Sequence, residues 1–378
     1  MKIKIPASII LMFIACAAVI AVESAQTNPV PAYQGWHVEG DRLLDARGNP
    51  VLLRGINSSG LEFGEANGAP LRGGGIFSYW HRHSAQEYAN IAQWGFNIVR
   101  LPVSWENIEP DAPVAGQHRY NEVYLGAIDE AIRLAGQRGL PVVLSMHHNH
   151  WSGGHSYQLP NGKAIHGGGM PKWLYPEGDH FAAEDRLFAD DQGGQGYLMD
   201  VWTMLARRYI NTDNMIGIDV YNEAPHRRNA GDMAKAVAGL TGLYDRAAGK
   251  LHAVNPKLLL VFQDFADHDP RLTRLPQNVN AIYSFHAYQP PWPAGKNNFE
   301  AHLNRAKQLG VPVWIGEFGR LGGPDWKQEL QGQINYMKTN RISWCVWAYQ
   351  MYNWPLFGPV GQGPLDKEQL SILQSGMQ

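Results

Sequence analysis

The chain has 378 residues, 44% of them apolar and 17% charged, enough to bury a large core and far from the composition of a disordered segment. Thirty-two basic residues against 34 acidic ones give a net charge of −2, which excludes the basic footprint of a nucleic-acid or anionic-membrane binder. The surplus lies in aromatics, 13 Trp and 16 Tyr, beside 15 His; flat apolar faces without matching charge suit a neutral ligand.

Lys2 and Lys4 precede an apolar stretch over 5–22, with small residues at Ala21 and Ala25. That order predicts a signal peptide over 1–25, a mature chain of 26–378, and a secreted or periplasmic location. A retained membrane anchor competes, because the stretch approaches spanning length. Lipid anchoring at Cys16 is the lesser alternative, since the bulky Phe13 fits a lipidation motif poorly. With the leader removed, Cys345 is the one cysteine left, so no internal disulfide forms. Its setting in Trp344-Cys345-Val346-Trp347 predicts a buried thiol.

Residues 36–49, with the turn Arg47-Gly48-Asn49, read as a hairpin. One unit then recurs: an amphipathic stretch, a glycine, and a short apolar run. It is seen in Gln93-Trp94-Gly95-Phe96-Asn97-Ile98-Val99-Arg100, in Gln137-Arg138-Gly139-Leu140-Pro141-Val142-Val143-Leu144, and in Gln308-Leu309-Gly310-Val311-Pro312-Val313-Trp314-Ile315. A glycine just past a helix closes it in the left-handed conformation. The runs after these glycines are too uniformly apolar for half-exposed strands and read as parallel strands buried on both faces. Ser84 and Glu87 form a capping box, Asn121 caps the stretch before Gly139, and Asn297 or Asn298 the one before Gly310.

Further apolar runs at 51–57, 215–222, 258–264, 281–286 and 342–348 bring the candidate strands to eight. Alternating with helices, they predict a single α/β domain, a closed (β/α)8 TIM barrel with the hairpin closing its floor. An open doubly wound sheet would announce a Gly-rich phosphate turn, and Gly73-Gly74-Gly75 and Gly167-Gly168-Gly169 lack that spacing. The long connections 58–83 and 149–195 come after strand carboxyl ends, where barrels build their sites.

Polar residues gather at those same ends. They are Arg100 on the second strand, His147-His148-Asn149-His150 on the third and Asn222-Glu223 on the fourth. His286-Ala287-Tyr288 ends the sixth, Glu317 the seventh and Trp347 the eighth. Singly, either glutamate could be a rim salt bridge, for instance Arg100 with Glu317. Two carboxyl groups across one cleft are what glycoside hydrolysis needs, one protonated to assist the leaving oxygen and one ionised to meet the developing oxocarbenium ion. Aromatic platforms for sugar faces are Trp105, Trp151, Trp173, Trp292, Trp347 and Trp354, with core packing the competing use of each. Two other readings compete. His148 and His150, joined by His286 and Asp264, could hold a hydrolytic metal, which leaves both glutamates idle. A catalytically silent carbohydrate-binding barrel would ordinarily lack one carboxylate.

The sequence resembles glycoside hydrolase family 5, the cellulase family of retaining (β/α)8 barrels. The resemblance spans the mature chain. Its carriers are Asn97-Ile98-Val99-Arg100-Leu101-Pro102, Met146-His147-His148, Tyr221-Asn222-Glu223, His286-Ala287-Tyr288, Trp314-Ile315-Gly316-Glu317-Phe318-Gly319 and the segment 344–347. It implies Glu223 as acid/base, Glu317 as nucleophile, and Asn222 as partner of the substrate 2-hydroxyl. It further implies that Arg100 and Tyr288 flank Glu317 and keep it ionised, that His147 and His286 line the same pocket, and that Trp347 forms its sugar-facing wall; His148 and Trp151 at the same rim are further candidate substrate-binding residues. Two departures stand out: Ala224 intervenes before Pro225 where the family commonly has Pro directly after the acid/base, and Ser145 stands where it commonly has Asp.

The resemblance favours internal cleavage of a β-1,4-glucan, while mannan, mixed-linkage glucan, xyloglucan and a glycolipid headgroup are compatible with it. The mature chain is expected to act as a monomer on a polysaccharide or oligosaccharide, without metal or cofactor, nucleic acid or stable membrane association.

Overall fold

Short runs with no face to give to water must pair side by side beneath a cover of helices. The computed structural model describes residues 35–63, 80–147, 156–158, 164–166, 169–176, 180–224, 230–266, 269–288, 292–319, 324–350 and 365–377. All fall within one compact unit, Pro31–Gln378. Strands β1 (His37–Glu39) and β2 (Arg42–Leu44) form an antiparallel hairpin. Next come β3 (Arg54–Asn57), α1 (Ala85–Gln93), β4 (Ile98–Val103), α2 (Trp105–Ile108), α3 (Glu122–Gly136) and β5 (Val142–Met146). A second hairpin, β6 (Ser156–Gln158) and β7 (Ala164–His166), leads to α4 (His180–Phe188), α5 (Gly194–Arg208), β8 (Met215–Asp219) and α6 (Ala230–Val254). The chain ends with β9 (Leu259–Gln263), β10 (Asn280–Ala287), α7 (Lys296–Leu309), β11 (Val313–Phe318), α8 (Trp326–Thr339), β12 (Ser343–Val346) and α9 (Lys367–Ser375).

The eight predicted strands close one parallel barrel in the order β3-β4-β5-β8-β9-β10-β11-β12, with β12 pairing back to β3. Helices follow β3, β4, β5, β8, β10, β11 and β12, as in a (β/α)8 barrel, while the described residues between β9 and β10 form a loop without a helix. Gly95, Gly139 and Gly310 take φ of 92°, 69° and 68°, so the left-handed stop read from the sequence closes each helix. Asn121 caps α3 through the amides of Val123 and Tyr124, and Ser84 accepts from the Glu87 amide. Neither Asn297 nor Asn298 caps α7. Gly295 holds that position, its carbonyl accepting from the Phe299 amide, and Asn298 is turned into the core.

Two cores result. Outside the barrel, strand residues such as Ile56, Val99, Leu101 and Phe262 pack against the helices. Inside, Leu53, Ile98, Val143, Leu259, Val261, Ile282, Trp314 and Cys345 fill the lower barrel, joined by Trp36 and Leu43 of the first hairpin. The hairpin therefore closes the floor, and the Val38 amide donates to Asn280 Oδ1 at 3.1 Å. Cys345 is a free, fully buried thiol.

The long segment 149–195 is not a loop throughout. Ala183, Glu184 and Leu187 of α4 turn inward at helical spacing, and the Tyr221 hydroxyl donates to Glu184 Oε1 at 2.7 Å. The leader 1–25, with Cys16, and the residues His148, Asn149, His150, Trp151, Pro225 and Trp354 lie outside the described residues. Among the described residues no helix is long and apolar enough to cross a membrane.

Candidate active site

Strand period two carries the inward face from the apolar floor into a polar layer. Two residues beyond Ile98 comes Arg100, beyond Val143 Ser145, beyond Val261 Gln263, and beyond Ile282 Ser284, all essentially buried. One step higher are His147, His286 and Trp347. The rim residues thus rest on a polar tier, and the tier on an apolar plug.

Arg100 centres that tier, with no solvent exposure. All five of its N–H donors are engaged. Nε and Nη2 donate to Asp219 Oδ2 at 2.9 and 2.7 Å. Nη2 also donates to Asn222 Oδ1 at 2.6 Å. Nη1 donates to Asn57 Oδ1 at 2.9 Å and to Glu317 Oε1 at 2.6 Å. Burial alone would lower the guanidinium pKa, but the Asp219 and Glu317 charges raise it above its ordinary value. Asn57 is locked in turn by donating Nδ2 to the Gly316 and Val346 carbonyls, at 3.0 and 3.2 Å.

Glu317 emerges from β11 with its second oxygen, Oε2, accepting from the Tyr288 hydroxyl at 3.0 Å. Burial and the Glu317 charge push the Tyr288 phenol well above its usual range, so it remains a donor. His286 Nδ1 lies 2.6 Å from Glu223 Oε1 and 3.5 Å from Glu317 Oε2. Oxygens of the two glutamates and a nitrogen of His286 all lie within 4.8 Å of one another. The side chains of Glu223 and Glu317 are 12% and 5% exposed, so Glu223 is the more open of the two. Glu223 takes φ 48°, a left-handed conformation that a residue with a side chain rarely adopts, and its amide donates to Gln263 Oε1 at 3.2 Å.

Burial pushes the Glu317 carboxyl above its ordinary value, with His286 and Arg100 pulling the other way and Glu223 adding to the rise. His286 is itself held neutral at pH 7, at about 4, mainly by burial. Arg100 is therefore the counter-charge at neutral pH. The guanidinium charge is shared with Asp219, so burial outweighs the pull of Arg100 on the Glu317 carboxyl.

Of the residues singled out in the sequence, Arg100, Asn222, Glu223, His286, Tyr288 and Glu317 meet in one pocket. The Arg100–Glu317 pair is real, but it sits inside that pocket and not as an isolated rim bridge. His147 stacks on Trp347 with ring centroids 5.3 Å apart and planes at 16°, and the Trp347 amide donates to the Phe318 carbonyl beside Glu317. Trp105 and Trp173 pack edge-on against one another, and Trp292 packs on Phe299 and Tyr336, so these three are core or loop packing. Asp264 accepts from the Tyr283 hydroxyl and the amides of Phe265, Arg271 and Leu272, so it anchors a loop.

Missed in the sequence were Asn57, Asp219 and Gln263, and Ser145 was noted there without a partner; all four are buried one step below the rim. Ser145, the family departure, donates to Asp219 Oδ2 at 3.0 Å, and the two are register neighbours on β5 and β8. Two more buried carboxyls lie near the end of β3. Ser58 Oγ donates to Glu87 Oε1 and Ser59 Oγ to Glu62 Oε1, both at 2.5 Å. Burial, opposed by those hydroxyls, pushes Glu62 up to about 7 and Glu87 up to about 8.

The sequence pattern of the Cellulase family (glycosyl hydrolase family 5) matches residues 44–353. The chain is similar to an endoglucanase of Paenibacillus polymyxa, 25% identical over 373 residues that cover 86% of this chain and 81% of the relative. Its fold is similar to that of an endogalactoceramidase, with a TM-score of 0.74 at 23% identity over 90% of this chain and 84% of that one. It is also similar to endo-glycoceramidase II from Rhodococcus sp. in its lactosyl-enzyme intermediate form, with a TM-score of 0.69 at 20% identity over 88% and 80% of the two chains.

Gly316 precedes Glu317 where a Cβ would lie 2.9 Å from His286 Nε2 and 3.1 Å from Ser284 Oγ. Gly316→Ala should displace His286 from Glu223 and lower kcat/KM by roughly 10- to 100-fold with little change in secondary structure. Kinetics alongside circular dichroism check this. Glu62 and Glu87 hold protons when folded that the unfolded chain sheds near its ordinary value of 4.5. Their contribution to stability is therefore full below that value and is lost as pH rises through about 7 and about 8. Urea midpoints of the wild type should fall more steeply between about pH 5 and 8 than those of Glu87→Gln.

Proposed function

The chain belongs to the cellulase family, glycosyl hydrolase family 5, and from that premise we propose that it is a retaining β-glycosidase acting inside β-1,4-linked glucan, with Glu317 as nucleophile and Glu223 as acid/base. That it is a glycoside hydrolase is given by the family. The observation that carries the retaining mechanism is the spacing of the two glutamates, an oxygen of each lying within 4.8 Å of the other and of a His286 nitrogen. An inverting enzyme opens about 6.5–9.5 Å between its carboxyl groups to admit a water, and a retaining one only about 5–5.5 Å.

In this reading Glu317 Oε2 attacks the anomeric carbon while Glu223 protonates the departing oxygen, and water then reverses the step with Glu223 as base. Arg100 on Oε1 and Tyr288 on Oε2 orient the nucleophile. Neutral His286 shares one proton with Glu223 across 2.6 Å, a contact suited to a group that must give a proton and later recover it. Asn222, with its oxygen tied to Arg100, turns its amide nitrogen to the substrate 2-hydroxyl. Trp347, backed by His147, offers a sugar-facing wall.

The endoglucanase relative supports a glucan substrate. A glycolipid headgroup is the second reading, favoured by the endogalactoceramidase whose fold this chain shares over 90% of its length. Both substrates present a β-linked sugar to the same two carboxylates and differ in the group beyond the scissile oxygen, a further sugar in one and a lipid in the other. The leader over 1–25 would place the enzyme outside the cytoplasm, where either substrate is met; the N-terminus of the exported protein tests it.

Purified protein should cut soluble cellulose derivatives to mixed short oligosaccharides and release product of unchanged anomeric configuration by NMR. Release of intact glycan from a glycosphingolipid, with no action on glucan, would select the second reading. Glu317→Ala should lower turnover by about 10⁴-fold or more. Glu223→Ala should keep most of its rate on aryl glycosides with an acidic leaving group and lose roughly 10²–10⁴-fold on natural linkages. Inversion at the anomeric carbon, or equal loss on both substrate types, would sink these roles.

A further inference from the structure

We propose that Asp219 is a positioning residue for hydrolysis: it grips the Arg100 fork on the edge away from Glu317, and so fixes where the Glu317 carboxylate sits and how much of the guanidinium charge it receives. The proposal rests on the reading of Glu317 as nucleophile.

A guanidinium is planar, so fixing one edge fixes the other. Asp219 Oδ2 takes two of the five Arg100 bonds and a third from Ser145 Oγ. The remaining Arg100 donors hold Asn57, Asn222 and Glu317, so what Asp219 fixes is passed on to the groups proposed to act on the sugar. Stability alone gives a weak account of this carboxylate. Asp219 is fully buried, and its Oδ1 has no hydrogen-bond partner among the described residues. Buried ion pairs of this kind are commonly no better for folding than apolar residues of the same volume.

Charge sharing is set by the same geometry. Arg100 faces two carboxylates, Asp219 at 2.7 Å and Glu317 at 2.6 Å. Around Glu317 the titratable groups are Arg100 on β4, Asp219 and Glu223 on and after β8, and His286 and Tyr288 on and after β10. Among the described residues, Glu62 after β3 and Cys345 on β12 also interact with Glu317. Withdrawing the Asp219 charge leaves more of the Arg100 charge to Glu317, and both changes favour the Glu317 anion. Asp219 raises His286 as well, so its loss moves the ionisation of either group the same way, to lower pH.

The test uses the full chain with an aryl β-cellobioside and compares pH profiles of Asp219→Asn, Asp219→Ala and the double variant Ser145→Asp/Asp219→Ser, with thermal melts of each. Asp219→Asn should keep KM, lose roughly tenfold in kcat, and move the acid limb of kcat/KM down by about one pH unit. Asp219→Ala should lose about 100-fold, because the fork is no longer held. The double variant carries the carboxylate to the register neighbour on β5 and should recover about tenfold or more over Asp219→Ala. An unmoved acid limb in Asp219→Asn, or a loss uniform across pH that tracks a fall in Tm, would overturn the proposal, as would a folded double variant no better than Asp219→Ala. Full activity in Glu317→Ala would be a separate failure, of the nucleophile reading on which the proposal rests, and is told apart from the Asp219 outcomes by that one variant.

Discussion

A positive charge that cannot reach water must be satisfied by whatever surrounds it, and Arg100 sits with its guanidinium wholly inside the barrel. Removing one partner from such a buried pair costs about 3–5 kcal/mol, so its neighbours are held in place as firmly as any apolar contact holds the floor below. Five bonds run from it to β3, β8, the turn after β8, and β11. Through those bonds one side chain on the second barrel strand dictates the positions of residues more than a hundred positions away in sequence.

The barrel makes that constraint tolerable by layering. Trp36, Leu43, Trp314 and Cys345 seal the floor, so the polar tier above is shielded from below and opens only toward the rim. Shielding has an electrostatic consequence. Low dielectric strengthens each bond to Arg100, and it also disfavours a carboxylate, which is why Glu317 rises despite its ion pair. His286 is kept neutral by the same burial and bridges the two glutamates without adding charge.

Two departures from the family pattern acquire a physical meaning in this arrangement. Ser145 on β5 brings no charge, but its register neighbour Asp219 on β8 does, and the hydroxyl bonds that carboxylate. The negative partner of Arg100 is thus present, supplied from one strand further around the barrel. Ala224 after Glu223 is buried, and the Ala266 amide donates to its carbonyl at 2.8 Å. That contact ties the turn carrying Glu223 to the end of β9, with the Gln263 side chain holding the Glu223 amide beside it. The left-handed backbone at Glu223 is therefore clamped from both sides.

How much was legible in the chain depends on which distances matter. Strand runs, helix-closing glycines and the Asn121 cap are decided by residues within a few positions of one another, and they stand as read. The hairpin at 36–49 and the eight-strand count are legible for the same reason. At the rim, Glu223 and Glu317 could be recognised because each breaks out of an apolar run at a strand end. Asp219 could not, and Ser145 stood out only as a departure: each looks like a polar flaw inside an apolar strand until its partner on another strand is known. The Asn297/Asn298 cap failed because a cap depends on where the backbone turns, and the Gly295 carbonyl had already taken the first bond. Residue order was enough for the barrel, its sealed floor and the two glutamates at its mouth, because local periodicity sets which face each side chain takes. It was not enough for who shares the charge of Arg100 or how strongly Glu317 is held, because strand register and burial are properties of the closed barrel and not of any one strand.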